Sequence, residues 1–402
     1  MIKILFVNTT NVNVGDLVFC LEWVNELRPE DFRFAFVIDR SMQQYMSPED
    51  TVFFFSPARH VKCTIVDAVR AFKADVIIFA CNSYWNMKGQ KGAVRGEWHE
   101  DILNLNIPIL SFDPLEGLTE IYVRLWDVRV SFPLGPDNVW SLRASPNLPE
   151  APKTKHYRIR KRFERLPVGR KFEVLKDLGV DLQKKTAFFA IAKNTYYDAR
   201  KIFHDYYAYL ASLLQSCHEY EIQFLVLAPE RILEFDANSD VIQIGHQPND
   251  RFVEILKACD LYVTDNGIAC SFVQAMACSI PSLILCNSFE SLDDVPLHQK
   301  AFKGFPRTHI EGRRSFVYDG LYPYKVFPYG MITLFNHDQK RYHWQNCYCQ
   351  AEVFKANDLM DKLEALVHDT KTRRNILNNC AAFQARYRKL PSPAEILAEV
   401  LA

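Results

Sequence analysis

Residues 259–285 read CDLYVTDNGIACSFVQAMACSIPSLIL, and this stretch decides the fold. A short apolar strand at 261–263 runs into a polar turn that contains Gly267, a helix rich in small residues follows, and a second strand begins after Pro281. Glycine has no Cβ and tolerates the backbone angles that such a turn requires. The unpaired N–H groups at the start of the helix form a site for an anion such as a diphosphate. The stretch therefore predicts a βαβ unit of a parallel sheet, which is either purely structural or binds a phosphate group.

The same stretch resembles the nucleotide-sugar-binding segment of GT-B glycosyltransferases. In that family a strand and a glycine-containing turn precede a helix with Glu or Gln and Ala near its middle, and a small residue, an aliphatic residue and proline follow. The residues that match are Gly267, Ser271, Gln274, Ala275, Ser279, Ile280 and Pro281. Asn266, Gln274 and Ser279 stand where many members have His, Glu and Gly. The resemblance implies that Asn266, Gly267, Ser271 and Gln274 bind the nucleotide-sugar donor.

The composition excludes several classes of protein. The chain has 402 residues, enough for about two domains, and 49% of them are hydrophobic and 24% charged. The formal net charge is zero, so no overall attraction to nucleic acid is expected. The sequence contains no apolar run of membrane-spanning length, and its first residues read as a strand instead of a signal peptide. The 11 cysteines are an odd number, which favours reduced thiols and a cytoplasmic location.

The first part of the chain alternates short apolar runs with helical patterns, which is typical of a parallel α/β sheet. The predicted strands are 2–7, 33–38, 51–55, 75–79 and 107–111, and the predicted helices are 16–27, 61–72 and 95–104. Pro-rich residues 133–152 and basic residues 153–171 interrupt the pattern. We interpret them as the linker region, because loop residues and charge replace periodicity there.

The alternation restarts at residue 186 and continues to residue 285. The predicted strands are 186–192, 222–227, 241–244, 261–263 and 282–285, the predicted helices between them are 199–217 and 250–259, and the C-terminal helices are 357–368, 370–386 and 391–402. Residues 287–350 form an insert that is rich in aromatic residues and has no clear periodicity. An insert of this length is usually functional or an added substructure.

These patterns predict an α/β fold with two Rossmann-like domains that face a cleft, as in the GT-B type. The first domain comprises 1–165, completed by 387–402, and the second comprises 166–386 with the insert 287–350. The resemblance implies that the first domain holds the acceptor, that the second binds the nucleotide sugar, and that a C-terminal helix crosses back to the first. Ligands of such sheets bind at the carboxyl ends of the strands.

Two acidic residues are candidate general bases, because each follows a predicted strand of the first domain. Gly15 allows a ligand to approach the backbone, and Asp16 is either the N-cap of the next helix or the base. The two residues resemble the N-terminal loop of protein-arginine rhamnosyltransferases, and their segment is also similar to the start of polysaccharide pyruvyltransferases. Asp113 follows the fifth predicted strand and is either a helix cap or a second candidate base.

Polar residues after two strands of the second domain are candidate ligands of the donor. Lys193 and Asn194 follow a buried strand and can reach a diphosphate. Gly245 and His246 lie in a turn that, as the resemblance implies, holds the nucleobase. Each of these residues also fits an ordinary loop between a strand and a helix.

The sequence contains no H-E-x-x-H motif, no P-loop and no D-x-D pair of the kind that binds a metal-bound nucleotide sugar. We therefore predict metal-independent transfer of a sugar from a nucleotide diphosphate donor, without a cofactor. The acceptor is left open as a small molecule, a glycan or a protein side chain. The alternatives are a pyruvyltransferase or sugar-nucleotide epimerase of the same fold, and a protein that binds a nucleotide sugar without catalysis.

Overall fold

The computed structural model describes the chain as two compact units. The described residues are 1–8, 14–55, 61–81, 99–112, 139–143, 153–193, 196–197, 200, 206–265, 270–286 and 345–402. The first unit comprises Met1–Lys161 and Ala385–Ala402, and the second comprises Arg162–Gln384.

The described residues of the first unit form a seven-stranded parallel sheet. Its strands are β1 (Ile2–Val7), β2 (Phe32–Asp39), β3 (Thr51–Phe55), β4 (Val76–Phe79), β5 (Ile109–Phe112), β6 (Val139–Arg143) and β7 (Thr154–His156). They lie in the order β3-β2-β1-β4-β5-β6-β7, and each pair of neighbours is parallel. The strand order reverses between β1 and β4. The carboxyl ends of these two strands therefore flank the point at which open α/β sheets bind their ligands.

Helices cover the apolar strands of the first sheet. They are α1 (Val14–Leu27), α2 (Val61–Phe72) and the short α3 (His99–Leu103). α2 buries Ile65, Ala68 and Val69, which are three or four positions apart and so lie on one face. These side chains pack with residues of the central strands, such as Leu5 and Ile77, in one core cluster. Strands buried on both faces are apolar without interruption, as β4 (VIIF) is.

The second unit repeats this plan with six parallel strands among its described residues. They are β8 (Lys185–Ala190), β9 (Ile222–Leu227), β10 (Val241–Ile244), β11 (Leu261–Thr264), β12 (Ser282–Cys286) and β13 (Tyr348–Glu352). Their order is β10-β9-β8-β11-β12-β13. The reversal lies between β8 and β11, so this sheet also has a ligand-binding point at the carboxyl ends of its two central strands.

The helices of the second unit lie between and after these strands. They are α4 (Val168–Asp177), α5 (Tyr206–Ser216), α6 (Asn249–Ala258), α7 (Cys270–Ala277), α8 (Ala356–Val367) and α9 (Thr370–Tyr387), whose last residues count with the first unit. α4 and α6 pack together, and Arg170 joins them through both oxygens of the Glu254 carboxylate, at 3.1 and 3.2 Å. This bidentate geometry fixes the two helices more firmly than a single exposed ion pair does.

The C-terminal helix α10 (Pro393–Leu401) belongs to the first unit, which confirms the predicted return of the chain. It packs against α1 and buries Ile396 and Leu397 completely. A capping box starts it: the Ser392 hydroxyl accepts from the backbone N–H of Glu395, whose carboxylate accepts from the Ser392 N–H at 2.6 Å. The Arg158 N–H donates to the Pro391 carbonyl at 2.9 Å, so β7 and the approach to α10 are also joined.

Most predicted elements are confirmed, and the division between the two units falls within the predicted linker region 133–171, but the interpretation of that region as lacking regular elements is wrong. β1, β3, β9, β10 and α2 have the predicted bounds. Within the supposed linker, however, β6 and β7 extend the first sheet and α4 begins at Val168. Strands of five and three residues between prolines are too short to show a period, and their pairing comes from the sheet edge beside them. β13 was also missed, since it begins inside the predicted insert; residues 287–344 of that insert lie outside the described residues.

A buried carboxylate stabilises the amino edge of the second sheet. Asp240 precedes β10 and accepts hydrogen bonds from Lys184, which precedes β8, and from His218. Burial raises the pKa of Asp240, but the hydrogen bonds from Lys184 and His218 and their positive charge outweigh burial, so the pKa lies below its ordinary value. A carboxylate with a lowered pKa in the folded state stabilises that state wherever it is ionised.

We expect this stabilisation to disappear in acid. It is fully present above the unfolded pKa of about 3.9 and is lost as the pH falls through the lower pKa of the folded state. The difference in Tm between the parent and Asp240→Asn should therefore be largest near pH 7 and shrink below about pH 4. Thermal melts from pH 7 to pH 3 measure it, with Asp236→Asn as the control, because Asp236 pairs with the exposed Arg231. A difference that stays constant down to pH 3 would contradict the assignment.

Candidate functional site

Three neighbouring strands of the second sheet end at the same edge, and a loop follows each of them. β9, β8 and β11 are neighbours in that order, so the segments after them, 228–230, 191–193 and Asp265, start from adjacent carboxyl ends. Two hydrogen bonds hold these ends together: the Ile191 N–H donates to the Leu227 carbonyl at 2.9 Å, and the Thr264 hydroxyl donates to the Ala190 carbonyl at 3.4 Å. This edge is where parallel α/β sheets bind their ligands.

Asp265 lies at the centre of this edge and is almost completely buried, with 1% of its surface exposed. Neither of its carboxylate oxygens has a hydrogen bond of normal geometry with the residues that the structure describes. Burial raises the pKa of Asp265 to about 7, although the backbone N–H groups of Asp265 and Ala192 lie close enough to act in the opposite direction. A perturbed carboxyl group at a ligand-binding edge is a candidate functional group with a physical rationale.

Tyrosines surround the approach to Asp265. The ring of Tyr207, in the first turn of α5, lies 5.0 Å from the ring of Tyr206 and 5.4 Å from that of Tyr196, which follows β8. Within the described residues the hydroxyl of the fully buried Tyr207 has no hydrogen-bond partner. Burial raises the pKa of Tyr207 far above its ordinary value, and the Asp265 carboxylate raises it further. Tyr207 is therefore a neutral hydroxyl that can donate or accept one hydrogen bond.

A partly exposed arginine supplies positive charge at the same place. The Arg200 guanidinium lies over the rings of Tyr196 and Tyr207, with its carbon 5.0 and 5.5 Å from their centres, and donates to Glu234 at 3.4 Å. About a third of its side chain is exposed. Glu230 accepts from the Tyr197 hydroxyl at 2.6 Å. A guanidinium held by stacking and one carboxylate keeps donors available for an anion.

Two of the predicted donor ligands, Ser271 and Gln274, lie on α7. The Ser271 hydroxyl is 2.6 Å from the hydroxyl of Tyr262 on β11, so it holds the helix against the sheet. Gln274 faces the interior with 1% of its surface exposed. Both side chains are therefore engaged within the unit, whereas the backbone N–H groups at the start of this eight-residue helix point back toward the edge that carries Asp265.

The other predicted donor ligands lie on two loops or outside the described residues. Lys193 follows β8 and is exposed at the edge that carries Asp265. Gly245 and His246 follow β10, two strands away from β8, and are also exposed. Neighbouring residues partly shield the His246 imidazole from water, which lowers its pKa and favours the neutral ring. Asn194, Asn266 and Gly267 lie outside the described residues, and their predicted roles stay predictions.

The structure places Asp16 inside a helix, so its interpretation as an N-cap is wrong. α1 begins at Val14, which puts Gly15 and Asp16 in its first turn, directly after the segment that follows β1. Helix ends are difficult to locate from sequence, and here the helix starts two residues earlier than predicted. Asp16 is buried, with 3% of its surface exposed, beside the ligand-binding point of the first sheet. Asp113, the second candidate, lies outside the described residues.

Sequence reasoning missed Asp265, Tyr207 and Arg200. Asp265 had a usable signal, since an acidic residue directly after an apolar strand lies at the edge where ligands bind. Tyr207 had no such sequence signal, because it is one of several tyrosines in an apolar helix and only the folded structure shows which hydroxyl lacks a partner.

The described cysteines are free thiols. No three His, Cys, Asp or Glu side chains meet as metal ligands in the described ranges, and no helix there is long and apolar enough to cross a membrane.

The fold is similar to that of solved glycosyltransferases over the whole chain. The spinosyn rhamnosyltransferase SpnG complexed with thymidine diphosphate has a TM-score of 0.58 at 10% identity, with 100% of both chains covered. The glycosyltransferase VinC in complex with dTDP has a TM-score of 0.58 at 11% identity, covering 100% of this chain and 98% of VinC. The glycosyltransferase SsfS6 from Streptomyces sp. SF2575 has a TM-score of 0.51 at 11% identity, with 100% of both chains covered.

At these identities the similarity establishes the fold, which is the predicted GT-B type with two Rossmann-like sheets. A search of the curated proteins by sequence finds no match. A family model does match residues 23–402, which is almost the whole chain. The protein therefore has the GT-B fold and belongs to the family of unknown function DUF6365.

Proposed function

We propose that the protein is a glycosyltransferase that moves a sugar from a nucleotide diphosphate donor to an acceptor. The observation that carries the proposal is the group of buried polar residues at the carboxyl ends of β8 and β11, in a sheet of GT-B type. Asp265 and Tyr207 lack partners there, and Arg200 adds a positive charge. Titratable and aromatic groups that converge at this edge are typical of a ligand site instead of a surface loop.

The second unit is proposed to bind the donor through its diphosphate. Negative charge develops on the diphosphate as its bond to the sugar breaks, and fixed positive groups stabilise that charge. The start of α7 supplies backbone N–H groups, and Lys193 and Arg200 supply cations. The predicted ligands Asn194, Asn266 and Gly267 belong to the same loops, and Gly245 and His246 are proposed to contact the nucleobase.

The first unit is proposed to bind the acceptor and to provide the base. In inverting transfer, a carboxylate takes the proton of the acceptor as its oxygen or nitrogen attacks the anomeric carbon, and the nucleoside diphosphate leaves. Asp16 is the first choice, because it is an acid beside the switch point of the first sheet. Asp113 is the second choice for the base.

The free thiols of the described cysteines fit the proposed cytoplasmic location.

Release of nucleoside diphosphate from a panel of nucleotide sugars tests the proposal. Structures of SpnG and VinC contain thymidine diphosphate, so thymidine diphosphate sugars come first, followed by uridine and guanosine diphosphate sugars. SpnG has also been solved with an aglycone, which makes small hydroxylated molecules the first acceptors to add. We expect slow hydrolysis of one donor that accelerates with acceptor. Tight binding without turnover would favour a non-catalytic binder, and an isomerised sugar would favour an epimerase.

Turnover should survive removal of divalent metal ions. The sequence contains no D-x-D pair, and helix N–H groups with Lys193 and Arg200 are proposed to neutralise the leaving group in place of a metal. We expect nucleoside diphosphate release in 5 mM EDTA, roughly a chelating excess over trace metal, to stay within about twofold of the untreated rate. Complete loss of turnover that Mg²⁺ or Mn²⁺ restores would refute metal independence.

A further inference from the structure

Two buried polar groups near the carboxyl edge of the second sheet lack hydrogen bonds of normal geometry with the described residues. The carboxylate oxygens of Asp265 have only the nearby backbone N–H groups of Asp265 and Ala192, outside normal hydrogen-bond geometry, and the hydroxyl of Tyr207 has no partner. The ring of Tyr207 lies 5.4 Å from that of Tyr196, the N–H of Tyr196 donates to the Ala192 carbonyl at 2.8 Å, and the N–H of Ala192 lies near the Asp265 carboxylate, so both groups belong to one neighbourhood. Buried polar groups are nearly always hydrogen-bonded, and each exception requires an explanation. At a ligand-binding edge, that explanation is a bound molecule that completes the missing bonds.

Two other charged groups at this edge have partners, although the Nε of Arg200 is buried without one among the described residues. Glu230 accepts from the hydroxyls of Tyr197 and Tyr196, at 2.6 and 3.4 Å. Arg200 faces the rings of Tyr196 and Tyr207 and donates to Glu234. Apart from Arg200 and Lys193, which are proposed to meet the diphosphate, the groups open to a ligand are one carboxyl group, which accepts two or more hydrogen bonds, and one phenol hydroxyl, which donates one and accepts another.

The hydroxyl groups of a sugar match this pair better than a phosphate or a cation does. Each sugar hydroxyl can donate to the Asp265 carboxylate and accept from the Tyr207 hydroxyl. A phosphate offers acceptors and negative charge, and it suits this pair less well because the ionised form of Asp265, whose pKa is about 7, repels it. A cationic ligand would meet the Arg200 guanidinium, which already covers the rings of Tyr196 and Tyr207.

We infer that Asp265 and Tyr207 recognise hydroxyl groups of the donor's sugar and so select which nucleotide sugar the protein accepts. The inference rests on the proposed function, because it assigns the sugar of the donor to this pair. The diphosphate remains at the start of α7, where Lys193 and Arg200 meet it. Sugar selection and diphosphate binding are thus carried by different groups, and variants can separate them.

Calorimetric titration of dTDP-glucose and UDP-glucose, each beside its sugar-free diphosphate, tests the inference. Tyr207→Phe removes one hydroxyl, and Asp265→Asn removes the charge while keeping the size. We expect each variant to bind the nucleotide sugar about 5- to 100-fold more weakly, since a buried partner is left unpaired. Tyr207→Phe should bind dTDP and UDP as tightly as the parent, and Asp265→Asn should bind them at least as tightly, because it removes a charge that repels phosphate. The fold-loss of nucleotide-sugar affinity in the double variant should be smaller than the product of the two single fold-losses, because the two groups bind the same sugar.

Stability distinguishes recognition from a structural role. Because Tyr207 and Asp265 lack hydrogen bonds of normal geometry with the residues that the structure describes, Tyr207→Phe and Asp265→Asn should keep or raise the Tm of the ligand-free protein. Tyr209→Phe is the matched control on the same helix, since the buried Tyr209 hydroxyl donates to the Val353 carbonyl at 2.7 Å. It should lower the Tm and leave both affinities unchanged. Asp260→Asn, at the opposite end of β11, is the control for Asp265 and should also leave both affinities unchanged.

The possible outcomes separate this inference from the proposed function. A parent that binds neither the diphosphates nor the nucleotide sugars would overturn both. A parent that binds them, with variants that weaken diphosphate and nucleotide sugar equally, would leave the proposed function standing and overturn the assignment to the sugar. Variants that melt earlier and bind like the parent would make the pair structural and overturn the inference alone.

Discussion

Asp16→Asn is expected to lower turnover by at least about 100-fold, since general base catalysis is typically worth about 10²–10⁴-fold. An amide has the size of the carboxylate and cannot take the acceptor's proton. Asp16 lies within the first turn of α1, so the change also removes a negative charge from the positive end of the helix. That interaction is worth about 0.3–1 kcal/mol. Donor affinity and Tm should therefore change little, and the loss should appear in the rate.

Steady-state release of nucleoside diphosphate with acceptor, beside calorimetric binding of the donor, measures this result. Asp358→Asn is the matched control, because Asp358 also lies in the first turn of a helix and accepts from a backbone N–H at 2.8 Å. It should retain nearly full turnover. A fully active Asp16→Asn would transfer the role to Asp113, and full activity of both variants would eliminate the proposed base.

Leu397→Ala is expected to destabilise the first unit by about 2–5 kcal/mol, the usual cost of truncating a completely buried leucine. Leu397 exposes none of its surface and lies on α10, which packs against α1. The truncation leaves a cavity in the packing that attaches the end of the chain to the first sheet. For a unit of this size, such a loss corresponds to a Tm lower by roughly 4–20 °C.

Leu401→Ala on the same helix is the control, because Leu401 is only half-buried at the end of α10. Calorimetry that follows the transitions of the two units separately measures both variants. The transition of the first unit should move in Leu397→Ala and stay within about 2 °C of the parent in Leu401→Ala. Equal, small shifts in both variants would show that α10 contributes little to the unit.

The parallel strands could be predicted because burial on both faces leaves a clear pattern. β4 is an uninterrupted apolar run, and β1 and β11 are apolar except for Lys3 and Thr264. The GT-B type followed from the strand, turn and helix around Gly267 together with two such sheets in one chain. The C-terminal return followed from the proline break before α10 and the resemblance, and the structure confirms it.

The edge strands could not be predicted, because their pairing is decided by neighbours that are distant in sequence. β7 has three residues, and its register against β6 brings Thr154 opposite Ser141. No alternation is visible over three residues. β13 pairs with β12, although about 60 residues separate them along the chain. The aromatic residues before β13 hid the start of the strand.

The edges of the sheets at which ligands are expected to bind could be predicted from the sequence, but the polar groups that lack hydrogen-bond partners there could not. Carboxyl ends of strands are readable from sequence, and this placed Asp16 and Lys193 at ligand-binding edges. Which groups lack partners is set by tertiary packing, so Tyr207 emerged only from the fold, and the fold also showed that the Asp265 carboxylate lacks partners among the described residues. Ser271 is the opposite case. Its residue type fits the family pattern, but the structure shows that its hydroxyl contacts Tyr262 within the unit.

The central claim is that the carboxyl edge of the second sheet binds a nucleotide diphosphate, and a crystal structure with thymidine or uridine diphosphate tests it most directly. The account predicts the diphosphate at the start of α7, within reach of Lys193 and Arg200. It also predicts the nucleobase near Gly245 and His246. A diphosphate bound in the first unit, or beside Asp240 at the opposite edge of the second sheet, would contradict the account.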